Sequence, residues 1–123
     1  DDEVLISIME HHSNVIPWQE ACRKTGAKLV YAYLKDGQLD MADLQSKLSP
    51  KTKFVSVAHV SNVLGSIQPV KKIAELAHQV GAYMVVDGAQ SAPHMSICLM
   101  VIVVKCIKNL LWFLCCCRIV KVN

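Results

Sequence analysis

Short aliphatic runs alternate with helix-like segments along most of this chain. Runs rich in β-branched and aromatic residues predict four buried strands, at residues 3–8, 28–34, 53–59 and 82–86. The segments between them carry helical signals, at residues 16–25, 40–48 and 69–80. The repeated strand–helix–strand order predicts an α/β fold with a mostly parallel sheet and crossover helices.

Residues with special backbone preferences mark the boundaries of these elements. Pro17 lies near the first turn of the first predicted helix and Gly26 follows its end, which are the positions that proline and glycine favour. Residues 35–37 contain Asp and Gly and predict a turn. Asp40 can cap the short helix that follows, and Pro69 opens the next one.

The pattern changes after Met95. Residues 96–123 contain no Gly, no Pro and no acidic residue, but they hold five of the six cysteines. We therefore divide the chain into a partial α/β domain, residues 1–95, and an apolar, Cys-rich tail, residues 96–123. The tail is out of keeping with the fold, and we interpret it as the product of a frameshift or of readthrough into non-coding sequence.

The tail has two further interpretations, membrane insertion and metal binding. Its apolar runs, residues 97–104 and 109–117, are shorter than the roughly 20 residues that a membrane-spanning helix needs, so we do not expect a membrane partner. A tail-directed, membrane-associated product stays open as an alternative if lysines reach the interface. The consecutive Cys115, Cys116 and Cys117 lack the spacing of a zinc site, and we predict no metal.

Composition and charge exclude several classes of protein. With 53% apolar residues the chain has enough apolar surface to bury, which excludes general disorder. The net charge of +3 arises in the tail, because residues 1–95 carry 9 basic and 10 acidic groups. Without a basic stripe we expect no nucleic-acid partner.

The single Cys22 in the first 95 residues indicates a reducing, cytoplasmic compartment. Because the chain does not begin with Met, we expect a fragment.

Polar residues follow three of the predicted strands. The carboxyl ends of parallel strands meet at one edge of a sheet, where ligands of open α/β folds bind. An imidazole, a carboxylate and two amides are therefore predicted to converge there. The residues concerned are Glu10, His11, His12, Ser13 and Asn14 after the first strand, His59, Ser61 and Asn62 after the third, and Asp87, Gly88, Ala89, Gln90 and Ser91 after the fourth.

Each of these residues also has a purely structural interpretation. Two adjacent histidines in extended chain point to opposite sides, so His11 and His12 are poorly placed to share a metal ion. Asp87 can accept a hydrogen bond within the turn that follows it. His59 and His78 are expected to be structural or exposed. The chain has no G-x-G-x-x-G motif and no phosphate-binding loop of the Walker type.

Three segments together resemble a known family. MEHHSNVIPW at residues 9–18, HVSNVLG at 59–65 and VDGAQSAPH at 86–94 resemble, in order and spacing, the class V aminotransferases. Within that family they are most similar to the SufS-type cysteine desulfurases. The resemblance implies that residues 1–95 are a fragment of the large domain of a pyridoxal-phosphate-dependent transferase, with pyridoxal 5'-phosphate as cofactor.

The resemblance also implies roles for four residues. Asp87 matches the carboxylate that pairs with the pyridine nitrogen and keeps it protonated, and Gln90 matches the residue that hydrogen-bonds the phenolic oxygen. His11 matches the imidazole stacked on the cofactor ring, where it can transfer protons as a catalytic residue. Asn62 matches a residue near the cofactor and the substrate carboxylate. No direct role is assigned to His12.

The activity implied by the resemblance is that of a cysteine desulfurase. Such an enzyme converts L-cysteine to L-alanine, holds the sulfur as a cysteine persulfide, and passes it to an acceptor protein of iron–sulfur cluster assembly. A homodimer is implied as well. Whether selenocysteine is an alternative substrate, and which acceptor takes the sulfur, stay open.

Parts of the family's active site have no counterpart in these residues. The Schiff-base lysine of the family lies in an S-G-H-K segment, which residues 97–109 do not contain, and neither Lys105 nor Lys108 takes over its role. The persulfide cysteine and the phosphate-binding threonine are not matched either. We therefore expect this polypeptide to be inactive alone. The alternative is a non-catalytic module that binds the cofactor or a partner.

Overall fold

The computed structural model describes residues 1–91 and residues 119–120. The described residues form an α/β layer structure around a five-stranded sheet, with a separate two-stranded hairpin. In chain order the elements are β1 (Glu3–Ser7), α1 (His12–Thr25), β2 (Lys28–Ala32), β3 (Leu34–Lys35), β4 (Gln38–Leu39), α2 (Met41–Lys47), β5 (Thr52–Ala58), α3 (Val70–Gln79), β6 (Tyr83–Asp87) and β7 (Ile119–Val120).

The four long strands of the sheet are parallel. They lie in the order β2-β1-β5-β6, and the two-residue strand β7 pairs antiparallel with the end of β6. This confirms the predicted fold class. The chain moves outward from β1 to β2 and then returns to the other side of β1, so the strand order reverses between β1 and β5. Such a reversal opens a crevice at the carboxyl ends of the strands, which is where α/β folds bind ligands.

Both faces of the sheet are covered, which explains why the strands read as continuous aliphatic runs. Successive residues point to opposite faces, so Leu5 packs with α2 and α3 while its neighbours Val4 and Ile6 face α1. The larger core joins the sheet to Leu44 of α2 and Ile73 of α3. The helices thus hold the strands in register from both sides.

The helix α1 begins four residues earlier than predicted. His11, in an extended conformation with ψ of 151°, is its N-cap, and its side chain accepts a hydrogen bond from the Ser13 backbone. Pro17 consequently lies inside the helix, not in its first turn. Histidine is not among the preferred N-cap residues, so the sequence carried no signal for this start. The predicted end is confirmed, because Gly26 takes a left-handed conformation with φ of 76°.

The second predicted strand is shorter than expected. It ends at Ala32, and the residues that follow form the hairpin of β3 and β4. The two residues between these strands, Asp36 and Gly37, both have positive φ, 52° and 76°. Asp-Gly is a favoured pair for such a turn, which confirms the predicted turn at residues 35–37. The Asp43 carboxylate accepts the Tyr33 N–H at 2.7 Å and fixes the break between β2 and β3.

Most of the tail lies outside the described residues. The predicted boundary at residue 95, the frameshift interpretation and the consecutive cysteines fall there and stay predictions. Ile119 and Val120 pair with Asp87 and Val86 of β6. Among the helices that the structure describes, none has the length and apolar character needed to cross a bilayer.

Candidate functional site

Asp87 is the last residue of β6, at the carboxyl edge of the sheet. Its side chain is buried, with 7% of its surface exposed, and it lies in register with Ala58 of the neighbouring strand. Asp87 Oδ1 accepts the Ala89 N–H at 3.0 Å, so the predicted structural role in the following turn is confirmed. Its carbonyl accepts the His59 N–H at 2.9 Å. A buried carboxylate at this edge provides a negative charge that faces little water.

His11 follows β1, which β5 separates from β6 in the sheet; it lies at the N-terminus of α1 and is exposed. Its Nδ1 lies 2.9 Å from Ser13 Oγ and accepts the Ser13 N–H at 3.2 Å. The ring centroid of His12 is 6.1 Å away at an interplanar angle of 61°. In residues 1–91 no three His, Cys, Asp or Glu side chains are grouped to hold a metal ion. His11 therefore presents an oriented imidazole at the sheet edge.

Asn62 lies in the loop between β5 and α3 and is exposed. Ser61 anchors this loop, because its Oγ accepts the backbone N–H of Val63 and Leu64 at 3.3 and 3.1 Å. The buried Gln68 closes the loop, since its N–H donates to the His59 carbonyl at 2.8 Å. The Asn62 amide is therefore carried on a closed loop that leaves the carboxyl end of β5.

Gln90 follows β6 in the turn that begins at Gly88, and it is exposed. The Ser91 N–H donates to the Gly88 carbonyl at 3.1 Å and closes this turn. All four predicted site residues, His11, Asn62, Asp87 and Gln90, thus follow or end strands at the carboxyl edge. Three have exposed side chains, and only Asp87 is buried.

Sequence reasoning missed a hydrogen-bond network around Glu10. The Glu10 carboxylate accepts the Ala58 N–H at 3.0 Å, the Asn14 amide at 2.6 Å and the hydroxyl of Ser7. Asn14 in turn accepts the Ser56 hydroxyl at 2.9 Å. The network joins β1, α1 and β5 at the point where the strand order reverses. The sequence placed Glu10 and Asn14 after the first strand, but it did not show that they bond each other and β5.

The electrostatics of the edge are set by two neighbouring carboxylates. Burial raises the pKa of the Glu10 carboxyl above the ordinary glutamate value, and this effect outweighs the three hydrogen bonds that lower it. The negative charge of Asp87 raises that pKa further. Burial also lowers the pKa of His59. Burial therefore disfavours the charged forms of both Glu10 and His59 at this edge.

Comparison with known proteins places this geometry in a family. Residues 1–103 match the family model of aminotransferase class V. The chain belongs to the class V aminotransferase family. The resemblance of the three segments is thereby confirmed.

The curated relatives of this class V aminotransferase chain are cysteine desulfurases. A probable cysteine desulfurase of Halalkalibacterium halodurans is 60% identical over 97 residues, which cover 78% of this chain and 24% of the relative. The cysteine desulfurase of Haloferax volcanii is 47% identical over 93 residues, 75% of this chain and 22% of that protein. The chain thus spans about a quarter of the length of these relatives.

Solved structures agree with the fold. The apo structure of the cysteine desulfurase from Thermococcus onnurineus NA1 matches with a TM-score of 0.72 at 43% identity, covering 76% of this chain and 24% of that chain. The cystine C–S lyase C-DES matches with a TM-score of 0.66 at 26% identity, covering 74% of this chain and 26% of that chain. One C-DES structure carries glycine covalently linked to its pyridoxal-phosphate cofactor. The described sheet is therefore part of the cysteine desulfurase fold.

Proposed function

We propose that this chain is the cofactor-binding sheet edge of a cysteine desulfurase that uses pyridoxal 5'-phosphate. The observation that carries the proposal is the buried carboxylate of Asp87 at the carboxyl end of β6, in a chain whose relatives are cysteine desulfurases. The reaction proposed for the intact enzyme is desulfuration of L-cysteine to L-alanine. A sulfur-acceptor protein and a second copy of the chain are its proposed partners.

The residues at the edge fit the cofactor by their chemistry. A protonated pyridine nitrogen needs a carboxylate as its hydrogen-bond partner, and Asp87 is a buried aspartate at the end of β6. When bound, the cofactor withdraws electrons from the substrate carbon through that protonated ring. Asp87 would maintain that protonation.

The other three residues act around the ring. The Gln90 amide would donate a hydrogen bond to the phenolic oxygen, and Asn62 would lie near the substrate carboxylate. His11, whose imidazole is already oriented by Ser13, would stack on the ring and could transfer a proton. Each of these three side chains is exposed in the described fold and therefore accessible to a ligand.

We also propose that this polypeptide of 123 residues does not turn over cysteine by itself. Its sequence contains no S-G-H-K segment for the covalent cofactor link. Asp87, Gln90 and His11 would then form a non-catalytic, non-covalent binding module. The free and buried Cys22 is consistent with the cytoplasmic location that we propose.

Cofactor binding tests the proposal directly. We expect the purified chain to bind pyridoxal phosphate and thereby to shift the visible absorption band of the cofactor. The Asp87→Asn variant should bind about tenfold more weakly, because it loses a charge-assisted hydrogen bond but keeps the oxygen that accepts the Ala89 N–H.

The matched control is Asp36→Asn in the β3–β4 turn, where asparagine tolerates the positive φ. This variant should bind like the parent chain. The proposal fails if the parent chain does not bind pyridoxal phosphate, or if Asp87→Asn and Asp36→Asn bind it equally well.

A further inference from the structure

The turn between β1 and α1 is attached to β5 by a side chain where strand pairing has stopped. The pairing of β1 with β5 ends at Ile6 and Ser56, and β1 itself ends at Ser7. The N–H of Ala58, two residues beyond that pair, therefore faces no β1 carbonyl. The Glu10 carboxylate accepts it at 3.0 Å and continues the connection between the two chain segments.

A second attachment runs through α1. Asn14 donates its side-chain amide to Glu10 at 2.6 Å and its backbone N–H to the His11 carbonyl at 2.8 Å. Asn14 Oδ1 also accepts the Ser56 hydroxyl of β5 at 2.9 Å. His11 therefore lies in the chain between Glu10 and Asn14. The side chains of these two residues are both hydrogen-bonded to β5.

The same strand determines where Asp87 lies. Ala58, whose N–H the Glu10 carboxylate accepts, is the register partner of Asp87 on β6. A short path therefore runs from His11 through Glu10 and Ala58 to His59, the next residue of the chain, whose N–H donates to the Asp87 carbonyl at 2.9 Å. A carboxylate that accepts three hydrogen bonds is held in one rotamer. It therefore fixes the position of the β1–α1 turn relative to β5.

We infer that Glu10 is a positioning residue: it clamps the β1–α1 turn to β5 and thereby holds the His11 ring at a set separation from Asp87. The inference rests on the proposed function, in which these two side chains contact one cofactor ring. Glu10 itself contacts neither the cofactor nor the substrate in this scheme. It acts by fixing the N-cap residue of α1.

A double-mutant cycle on the full 123-residue chain tests whether Glu10 acts through His11. Glu10→Gln keeps the size of the side chain but places an amide donor against the donors of Ser7 and Asn14. We expect it to weaken pyridoxal-phosphate binding about tenfold in the parent chain and less than about twofold in a His11→Ala background. An equal loss in both backgrounds would overturn the inference.

A second measurement does not depend on the cofactor. In the NMR spectrum of the chain without ligand, Glu10→Gln should shift the ring resonances of His11 and reduce the hydrogen-exchange protection of the Ala58 N–H. The ring of His78, exposed near the end of α3, serves as the internal reference for an intact fold. Unchanged His11 resonances in a variant that has lost Ala58 protection would contradict the inference.

The matched control is Glu75→Gln, at an exposed glutamate of α3, which should alter neither binding nor the His11 spectrum. The two measurements separate the two proposals. If the parent chain binds no pyridoxal phosphate, the proposed function fails, while the NMR comparison still decides whether Glu10 holds His11.

Discussion

Glu10 carries a negative charge into a part of the molecule where little water reaches it. Three hydrogen bonds favour the charged form, but burial opposes it more strongly and the neighbouring Asp87 adds to that opposition. The pKa of Glu10 is raised as a result. A buried network of this kind is stable only while all of its members keep their partners.

The raised pKa predicts a pH dependence of stability. The folded chain binds the Glu10 proton more tightly than the unfolded chain, so this residue lowers the free energy of unfolding as the pH rises from about 4.5 through the raised pKa. Glu10→Gln cannot titrate. Its stability relative to the parent chain should therefore improve with pH across that window, as measured by urea unfolding at a series of pH values.

The control for this pH series is again Glu75→Gln. Its unfolding free energy should follow the parent chain at every pH, because the fold leaves this glutamate exposed. If Glu10→Gln and Glu75→Gln gave parallel profiles, burial of the Glu10 charge would not be the cause.

At the scale of the element, short helices depend on their caps and on the core. The helix α2 has only seven residues, and a helix of this length is not stable alone. Asp40 Oδ1 accepts the N–H groups of Ala42 and Asp43 at 2.9 and 3.2 Å. Leu44 anchors the other side of α2 in the core, fully buried. The cap and the anchor together keep α2 on the sheet.

Removal of the cap should be measurable. Asp40→Ala leaves two N–H groups of the first turn without their acceptor and should lower the free energy of unfolding by about 1 kcal/mol. Asp40→Asn keeps an acceptor oxygen and should stay within a few tenths of a kcal/mol of the parent chain. Urea unfolding of the two variants gives the comparison, and equal stabilities would show that the cap contributes nothing.

At the scale of the whole molecule, a sheet edge is necessary for the proposed reaction but not sufficient. In the proposed site, binding groups from three strand ends would orient a ligand. The resemblance implies that the covalent link and the sulfur-accepting thiol of the family come from other segments of the fold. The chain spans about a quarter of the length of its relatives. The contribution that we propose for it is the part of the site built on β1, β5 and β6.

The corresponding prediction concerns turnover. With pyridoxal phosphate and L-cysteine, the 123-residue chain should form no alanine above the background of free cofactor. The matched control is the full-length relative from Halalkalibacterium halodurans under the same conditions, assayed for alanine and sulfide. Alanine formation at a rate comparable to that relative would refute the proposal of inactivity.

Local signals in the sequence predicted much of the fold. The four long strands and the three helices follow from aliphatic runs and amphipathic spacing, and Gly26 and Asp40 mark their ends correctly. The start of α1 and the β3–β4 hairpin were not predicted. His11 is an unusual cap, and the break after Ala32 depends on Asp43, ten residues beyond Tyr33. Contacts at that separation have no local signature.

The sequence by itself determined the order of strands and helices along the chain, the parallel sheet and the edge at which Asp87, His11, Asn62 and Gln90 end or follow a strand. Periodicity and strand polarity are local properties, and they are sufficient for these conclusions. Only the tertiary structure decided that the Glu10 side chain links the β1–α1 turn to β5 at this edge. Its partner Ala58 lies 48 residues away in the chain, and a hydrogen bond across that distance exists only once β1 and β5 lie side by side.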